Sequence, residues 1–167
     1  MRTLYDELYD PLFQYIFYLT NNRVLAEEFV QDVFVKYFEA SNVEQPKAYL
    51  YRTARNLVYD YYRRKRLIQW LPLKKDTRVT DNYPQDLLEQ NETNRALYDA
   101  LAQLKLTYRE AIVLRYIEEL SVKETAALLG ISEVKVKNNT ARGLQALRKL
   151  LGGDWHGAIE KAEANNN

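Results

Sequence analysis

Apolar residues recur at three- and four-residue steps along most of this chain, and each run ends at a polar break. The first run is Leu4, Leu8, Leu12, Tyr15, Ile16 and Leu19, the spacing of one helix face. Pro11 falls inside it, marking either a first-turn position after Asp10 or a kink in a longer helix. Thr20, Asn21 and Asn22 form a break. A second helix is expected from Arg23 to about Ala40, with Leu25, Ala26, Phe29, Val30, Val33, Phe34, Tyr37 and Phe38 as its apolar positions. That stripe is wide enough to pack against two neighbours. The opposite face carries Glu27, Glu28, Gln31, Asp32 and Lys36. After a polar loop, Ser41 to Pro46, a third helix runs to about Arg66 and can turn Leu50, Ala54, Leu57 and Tyr61 to a core.

Periodicity then stops. Leu67 to Asn91 contains Pro72 and Pro84 with several Asp and Asn residues, the composition of a linker. Within it Ile68, Trp70, Leu71 and Leu73 form a short apolar cluster suited to local packing or to a partner. Helical spacing resumes at Leu97, Leu101 and Leu104. Thr107 with Glu110 has the spacing of a capping box, opening a helix through Ala111, Ile112, Leu114 and Tyr116. Ser121 with Glu124 has the same spacing. Gly130 ends that helix and Ser132 is placed to cap the next, which turns Val136, Thr140, Leu144, Leu147 and Leu151 to one side. A short helix, a glycine turn and a longer helix make a helix-turn-helix.

The pattern therefore predicts an all-α chain: two small helical domains joined by a flexible linker, the C-terminal one containing the helix-turn-helix. The expected ranges are 1–67, a linker over 68–91, then 92–152, and a tail over 153–167. No strand and no internal repeat is expected.

Composition changes this picture little until charge is located. The chain has 167 residues, 24 basic and 23 acidic, for a formal net charge of +1. Net charge alone would not point to nucleic acid, but a footprint depends on where charge sits. Arg52, Arg55, Arg63, Arg64, Lys65 and Arg66 crowd the third helix, with Asp60 the one acid among them. Lys123, Lys135, Lys137, Arg142, Arg148 and Lys149 crowd the helix-turn-helix. There is no cysteine and one histidine, His156, which excludes disulfides and thiolate metal sites. Glu27, Glu28 and Asp32 share a surface, but no histidine is spaced to complete a metal or acid–base site with them. With no Walker loop and no glycine-rich dinucleotide loop, no enzyme activity and no cofactor is expected. No apolar run is long enough to span a bilayer and the N-terminus does not have the form of a signal peptide, so a cytoplasmic protein is expected.

Two faces carry candidate chemistry. On the last helix, Lys135, Lys137, Asn138 and Asn139 fall in the first exposed turns. Lysine donates to guanine edges and asparagine pairs bidentately with adenine. Arg142 suits a phosphate contact, and Ser132 with the helix start can meet a phosphate through free backbone N–H groups. On the third helix, Arg52, Arg55, Tyr59, Tyr62 and Arg66 follow at three- and four-residue steps. A positive, ring-bearing stripe is what single-stranded nucleic acid needs: charge tracks the backbone and rings stack on bases.

Taken in order, these segments resemble the bacterial sigma factors, specifically the small two-domain extracytoplasmic-function group. The resemblance rests on Ala26 through Phe34 and Pro46 through Arg64 in the first half. In the second it rests on Leu104 through Tyr116, Thr125 through Ser132, and Val136 and Lys137 followed by Arg142. It implies that Glu27, Glu28, Gln31 and Asp32 dock on the coiled-coil clamp of core RNA polymerase. It implies that the loop Asn42 to Pro46 captures a flipped base of the −10 element. It also implies that Arg52, Arg55, Tyr59, Tyr62, Arg63 and Arg66 engage the non-template strand and adjacent duplex. Ser132, Lys135, Lys137, Asn138, Asn139 and Arg142 would then read the −35 element of promoter DNA. The linker would thread through the polymerase. The family commonly pairs with an anti-sigma factor, a further expected partner, and membrane insertion is not expected.

The chain departs from the family pattern at one place. Lys135 stands where Thr is common, Asn138 and Asn139 where Ser and Arg are common, and Thr140 where an aliphatic residue is common, so the −35 contacts here need not be the family's. Two rival classes remain on sequence grounds. A stand-alone helix-turn-helix regulator leaves the Arg52–Arg66 stripe without a purpose, and a protein-interaction adaptor leaves both basic faces without one.

Overall fold

A computed structural model describes residues 3–69 and 92–152. Residues 70–91 and 153–167, which hold most of the expected linker and the expected tail, lie outside the described residues. The chain divides into two compact units, 1–84 and 85–167. All regular structure among the described residues is helical.

The first unit is a three-helix bundle of α1 (Leu4–Thr20), α2 (Arg23–Glu39) and α3 (Pro46–Gln69), each packed against the other two. Of the two expected roles of Pro11, the first-turn position does not hold, and the proline lies inside a longer helix. Thr3 caps the helix ahead of Leu4: its hydroxyl accepts from the Asp6 amide while the Asp6 carboxylate takes the Thr3 amide. This reciprocal cap fixes the start seven residues before the proline, and the helix passes through Pro11. At the other end Asn21 adopts a left-handed conformation (φ 51°) and Asn22 caps α2 through Leu25. The Thr20–Asn22 break is thus one residue that tolerates positive φ followed by one that caps.

The core is aromatic as well as aliphatic. Tyr15 of α1 and Tyr51 of α3 are fully buried, with ring centroids 5.1 Å apart. Leu50 and Ala54 are buried as expected, but Leu57 and Tyr61 are only half-buried, and Tyr51 and Val58 go fully inside. The reason is that α3 packs on both α1 and α2, so its buried stripe is wider than one heptad face.

The second unit comprises α4 (Glu92–Gln103), α5 (Leu106–Ile112) continuing into a π-helical turn (Val113–Ile117), α6 (Val122–Leu129) and α7 (Glu133–Leu151). Helix α7 packs against α4, α5 and α6. The capping box expected at Thr107 and Glu110 does not form. Helix α5 starts two residues earlier than a Thr107 cap would place it, Lys105 precedes it without a side-chain cap, and Glu110 is buried. The turn is fastened instead by Arg109, whose guanidinium donates to the carbonyls of Ala102 (3.0 Å) and Leu104 (2.8 Å). A buried cation thus closes the end of α4 by taking two of its carbonyls, while the start of α5 has no side-chain cap.

The π-turn and the residues after it redirect the chain into α6. Glu118 and Leu120 donate to Val113 and Leu114, Glu119 sits at φ 57°, and Arg115 donates to the Leu120 carbonyl at 2.6 Å. Ser121 then caps α6 through the Glu124 amide (3.0 Å), the hydroxyl half of the expected box. Gly130 takes the left-handed conformation (φ 69°) that ends α6, and Ser132 caps α7 through Lys135 (3.1 Å). The helix-turn-helix is built as its spacing implied.

Candidate nucleic-acid and partner interfaces

Helix α2 uses Ala26, Phe29, Val30, Val33 and Phe34 for the core. Its outward stripe steps through Val24, Glu28, Gln31, Val35 and Phe38, all exposed. Phe38, counted with the core positions by its sequence spacing, is 68% exposed. Its phase is about 110° from the centre of the buried stripe, so periodicity read by angle rather than by step places it outside. The exposed face is therefore polar at its centre and apolar at both ends, and Val24 and Val35 were not among the expected site residues. Asp32 is exposed on its flank, while Glu27 is half-buried and paired with Arg23 at 3.3 Å. Behind this edge, burial raises the pKa of the Tyr9 phenol, with smaller contributions from Tyr5, Glu27 and Asp10.

Asn42 stands in the loop between α2 and α3 in a left-handed conformation (φ 57°). Asparagine tolerates this region better than most side chains. Loop and helix together form a basin of about 560 Å³, open to solvent, in which Asn42, Gln45, Arg52, Thr53 and Asn56 contribute polar groups. Tyr49 also lines the basin, and its hydroxyl reaches back to the Lys36 carbonyl (3.3 Å), fastening the first turn of α3 to the end of α2. Two separately expected features, the loop at Asn42 and the stripe beginning at Arg52, thus share one concavity. Gln45 falls in the expected loop, whereas Thr53 and Asn56 were not anticipated. The signal was available: 49, 52, 53 and 56 share one side of the first turns of α3.

Farther along α3 the stripe divides. Arg55 lies over the Tyr59 ring, 4.3 Å from its centroid. Tyr62 is engaged in the bundle, its hydroxyl donating to the Leu19 carbonyl at 2.8 Å. Arg63 is exposed and lies 3.4 Å from Asp60; Arg66 is exposed. Arg52 is exposed and Arg55 and Tyr59 are half-buried on the same side of α3, whereas Tyr62 serves the fold with its polar end.

On α7, Lys135, Lys137, Asn138 and Arg142 are exposed, and Asn139 is half-buried on the flank. The Ser132 hydroxyl is occupied by the Lys135 amide. Val136, Thr140, Gly143, Leu144 and Leu147 form the buried side. Thr140 fits there because its hydroxyl donates to the Val136 carbonyl at 2.7 Å, which disposes of the polar atom. Gly143 allows close packing: a Cβ at this position would lie 2.9 Å from Ile112 Cγ1 and 3.1 Å from the Tyr108 carbonyl oxygen. Among the described residues, no three His, Cys, Asp or Glu side chains are grouped to hold a metal ion, and no helix is long and apolar enough to cross a membrane.

A helical unit with an aromatic, basic third helix and a second unit carrying a helix-turn-helix define a class of multi-site DNA-engaging transcription proteins. Sequence models of sigma-70 region 2 and sigma-70 region 4 match residues 4–68 and 94–147. The chain is 33% identical over 158 residues to the ECF RNA polymerase sigma factor SigX of Bacillus subtilis, covering 89% of this chain and 81% of that protein. It is 30% identical to the RNA polymerase sigma factor SigZ of the same organism, covering 92% of this chain and 88% of the relative. The sigma factor RpoE of Bartonella quintana, solved in complex with the anti-sigma factor NepR, has a similar fold, with a TM-score of 0.66 and 24% identity over 89% of this chain and 96% of that one.

The chain belongs to the extracytoplasmic-function family of RNA polymerase sigma factors. It directs RNA polymerase to promoters, and the reading as a stand-alone regulator is set aside, because the first unit is sigma region 2.

Proposed function

We propose that the two units divide promoter recognition between them as follows. The outward face of α2, with Glu28, Gln31 and Asp32 between apolar ends at Val24 and Phe38, docks on core polymerase, and Glu27 borders it. Charge fixes register and steers encounter, while the apolar ends supply burial. The basin around Asn42 and Arg52 holds one unpaired base of the −10 element, and Arg55 with Tyr59 offers a cationic, aromatic surface to the strand beside it. Arg63 and Arg66 meet the adjacent duplex phosphates, and Tyr62 acts by holding α3 on α1. Opening is then mechanical: a surface that binds unpaired bases better than paired ones shifts the duplex toward melting. Helix α7 enters the major groove of the −35 element through Lys135, Lys137 and Asn138. Arg142 contacts phosphate, Ser132 fixes the first turn, and Asn139 adjusts the flank.

The observation that carries this reading is the shared basin of the Asn42 loop and Arg52. Neither element alone makes a concavity, and a splayed base needs one with several polar groups. An anti-sigma factor, as bound by the Bartonella RpoE, would act on this chain by covering the α2 face, competing with polymerase for it.

Replacing Asn42 and Arg52 by alanine tests the division. Permanganate reactivity of −10 thymines should fall at least tenfold while affinity for core polymerase changes less than twofold. Equal loss of both would remove the basin from the mechanism.

A further inference from the structure

Val134 lies in the first turn of α7, two residues past its cap, and is 66% exposed. In the second unit the exposed large apolar side chains among the described residues are Val134 and Leu150. Helix propensity does not account for a valine here, since its β-branch makes it a weaker helix former than alanine. Nor does the core, because α7 buries Val136, Thr140, Gly143, Leu144 and Leu147 on its other side.

Its placement on the helix is specific. At about 100° per residue, Val134 lies roughly 40° from Asn138 and 20° from Ala141, and far from the buried side. All three are exposed, and Lys135, Lys137 and Arg142 flank them. The outermost ridge of α7 thus reads methyls, amide, methyl, bordered by cations. The Ser132 cap bonds to the Lys135 amide, so the backbone that carries Val134 is held in register. A β-branched side chain on a fixed backbone has few rotamers, so its methyl groups occupy defined positions.

In a DNA major groove the apolar feature of the base edges is the C5-methyl of thymine. We propose that Val134 packs against a thymine methyl of the −35 element and is a specificity-determining residue of this chain, beside an adenine-reading Asn138. This rests on the reading that α7 enters the major groove. It assigns a role to a side chain without charge or hydrogen-bonding groups. The preferred −35 sequence would carry a thymine, on either strand, within one or two base pairs of the position set by Asn138.

Deoxyuridine lacks the methyl but keeps every hydrogen-bonding group of thymine, so it isolates this contact. Holoenzyme assembled from the full chain and core polymerase is bound to a promoter that it selects, with each −35 thymine replaced in turn by deoxyuridine. One replacement should weaken binding about fourfold, the value of one buried methyl group. Val134→Ala should weaken binding to the thymine promoter by a similar factor and abolish the penalty at that position, leaving any other thymine penalties in place. The side chain is exposed, so its thermal midpoint should not move. Should the alanine variant unfold, Val134→Thr keeps the shape and should still reduce the penalty. A penalty that persists unchanged in the variants, or affinity loss equal across all −35 sequences, overturns the assignment of Val134. If the wild-type holoenzyme shows no preference among −35 sequences, the groove reading of α7 fails first and Val134 with it.

Discussion

Single side chains separate holding the fold from meeting DNA. Tyr62 and Tyr59 are three residues apart on α3, but the Tyr62 hydroxyl donates to Leu19 and the Tyr59 ring lies under Arg55. Tyr62→Phe should therefore destabilise the first unit by about 1 kcal/mol, the net value of one such hydrogen bond, as read by chemical denaturation. Tyr59→Ala removes a half-buried ring and should cost about 1 kcal/mol, the usual size of a point substitution, and in addition should lower promoter opening. Gly143→Ala would ordinarily favour a helix, but here the added carbon meets Ile112 and the Tyr108 backbone. Crowding outweighs propensity, and a loss of about 1–2 kcal/mol in the second unit is expected from overpacking. The expected stripe of five residues was legible in sequence as a spacing. That one member would turn its polar end to a carbonyl of α1 was not, because the partner lies 43 residues away.

At the scale of elements, helices with local determinants were the ones that spacing located. The caps at Ser121 and Ser132 and the stop at Gly130 involve residues three or four apart, so pattern and structure coincide. The Thr107–Glu110 pair has the same spacing, yet Thr107 lies inside α5 rather than at its cap, and Arg109 closes the turn from the other side by donating to two carbonyls at the end of α4. Arg109→Met should accordingly loosen the junction of α4 and α5 and cost about 2–3 kcal/mol, the range for hydrogen bonds to a charged group. Thermal unfolding checks this directly. The exposed ends of the α2 face were missed for a related reason. Step counting includes Phe38 with the core, whereas its angle and its position one residue from the helix end put it outside. Phe38→Ala should weaken core-polymerase binding about tenfold, as loss of an aromatic anchor that becomes buried on docking does, and leave stability unchanged. Titration of labelled protein with core polymerase reads it.

For the molecule as a whole, a formal charge of +1 hides two basic faces and one acidic-and-apolar face, which the proposed function assigns to different partners. Family membership was legible because motifs in both units occur in order along one chain, and the matches to sigma-70 regions 2 and 4 fall on the same two stretches. The basin at Asn42 was not legible as a cavity, since residues of the loop and of the first turns of α3 line it together. The central claim is that one surface docks polymerase while separate surfaces open and read promoter DNA. Its most direct measurement combines core polymerase, the full chain and a promoter library, with start sites and permanganate-reactive thymines mapped together. A shared −35 and −10 pattern upstream of the starts is expected, with reactive thymines confined to the −10 region and lost on replacing Asn42 and Arg52. Core binding without promoter-selective opening, or opening that survives those replacements, would contradict it.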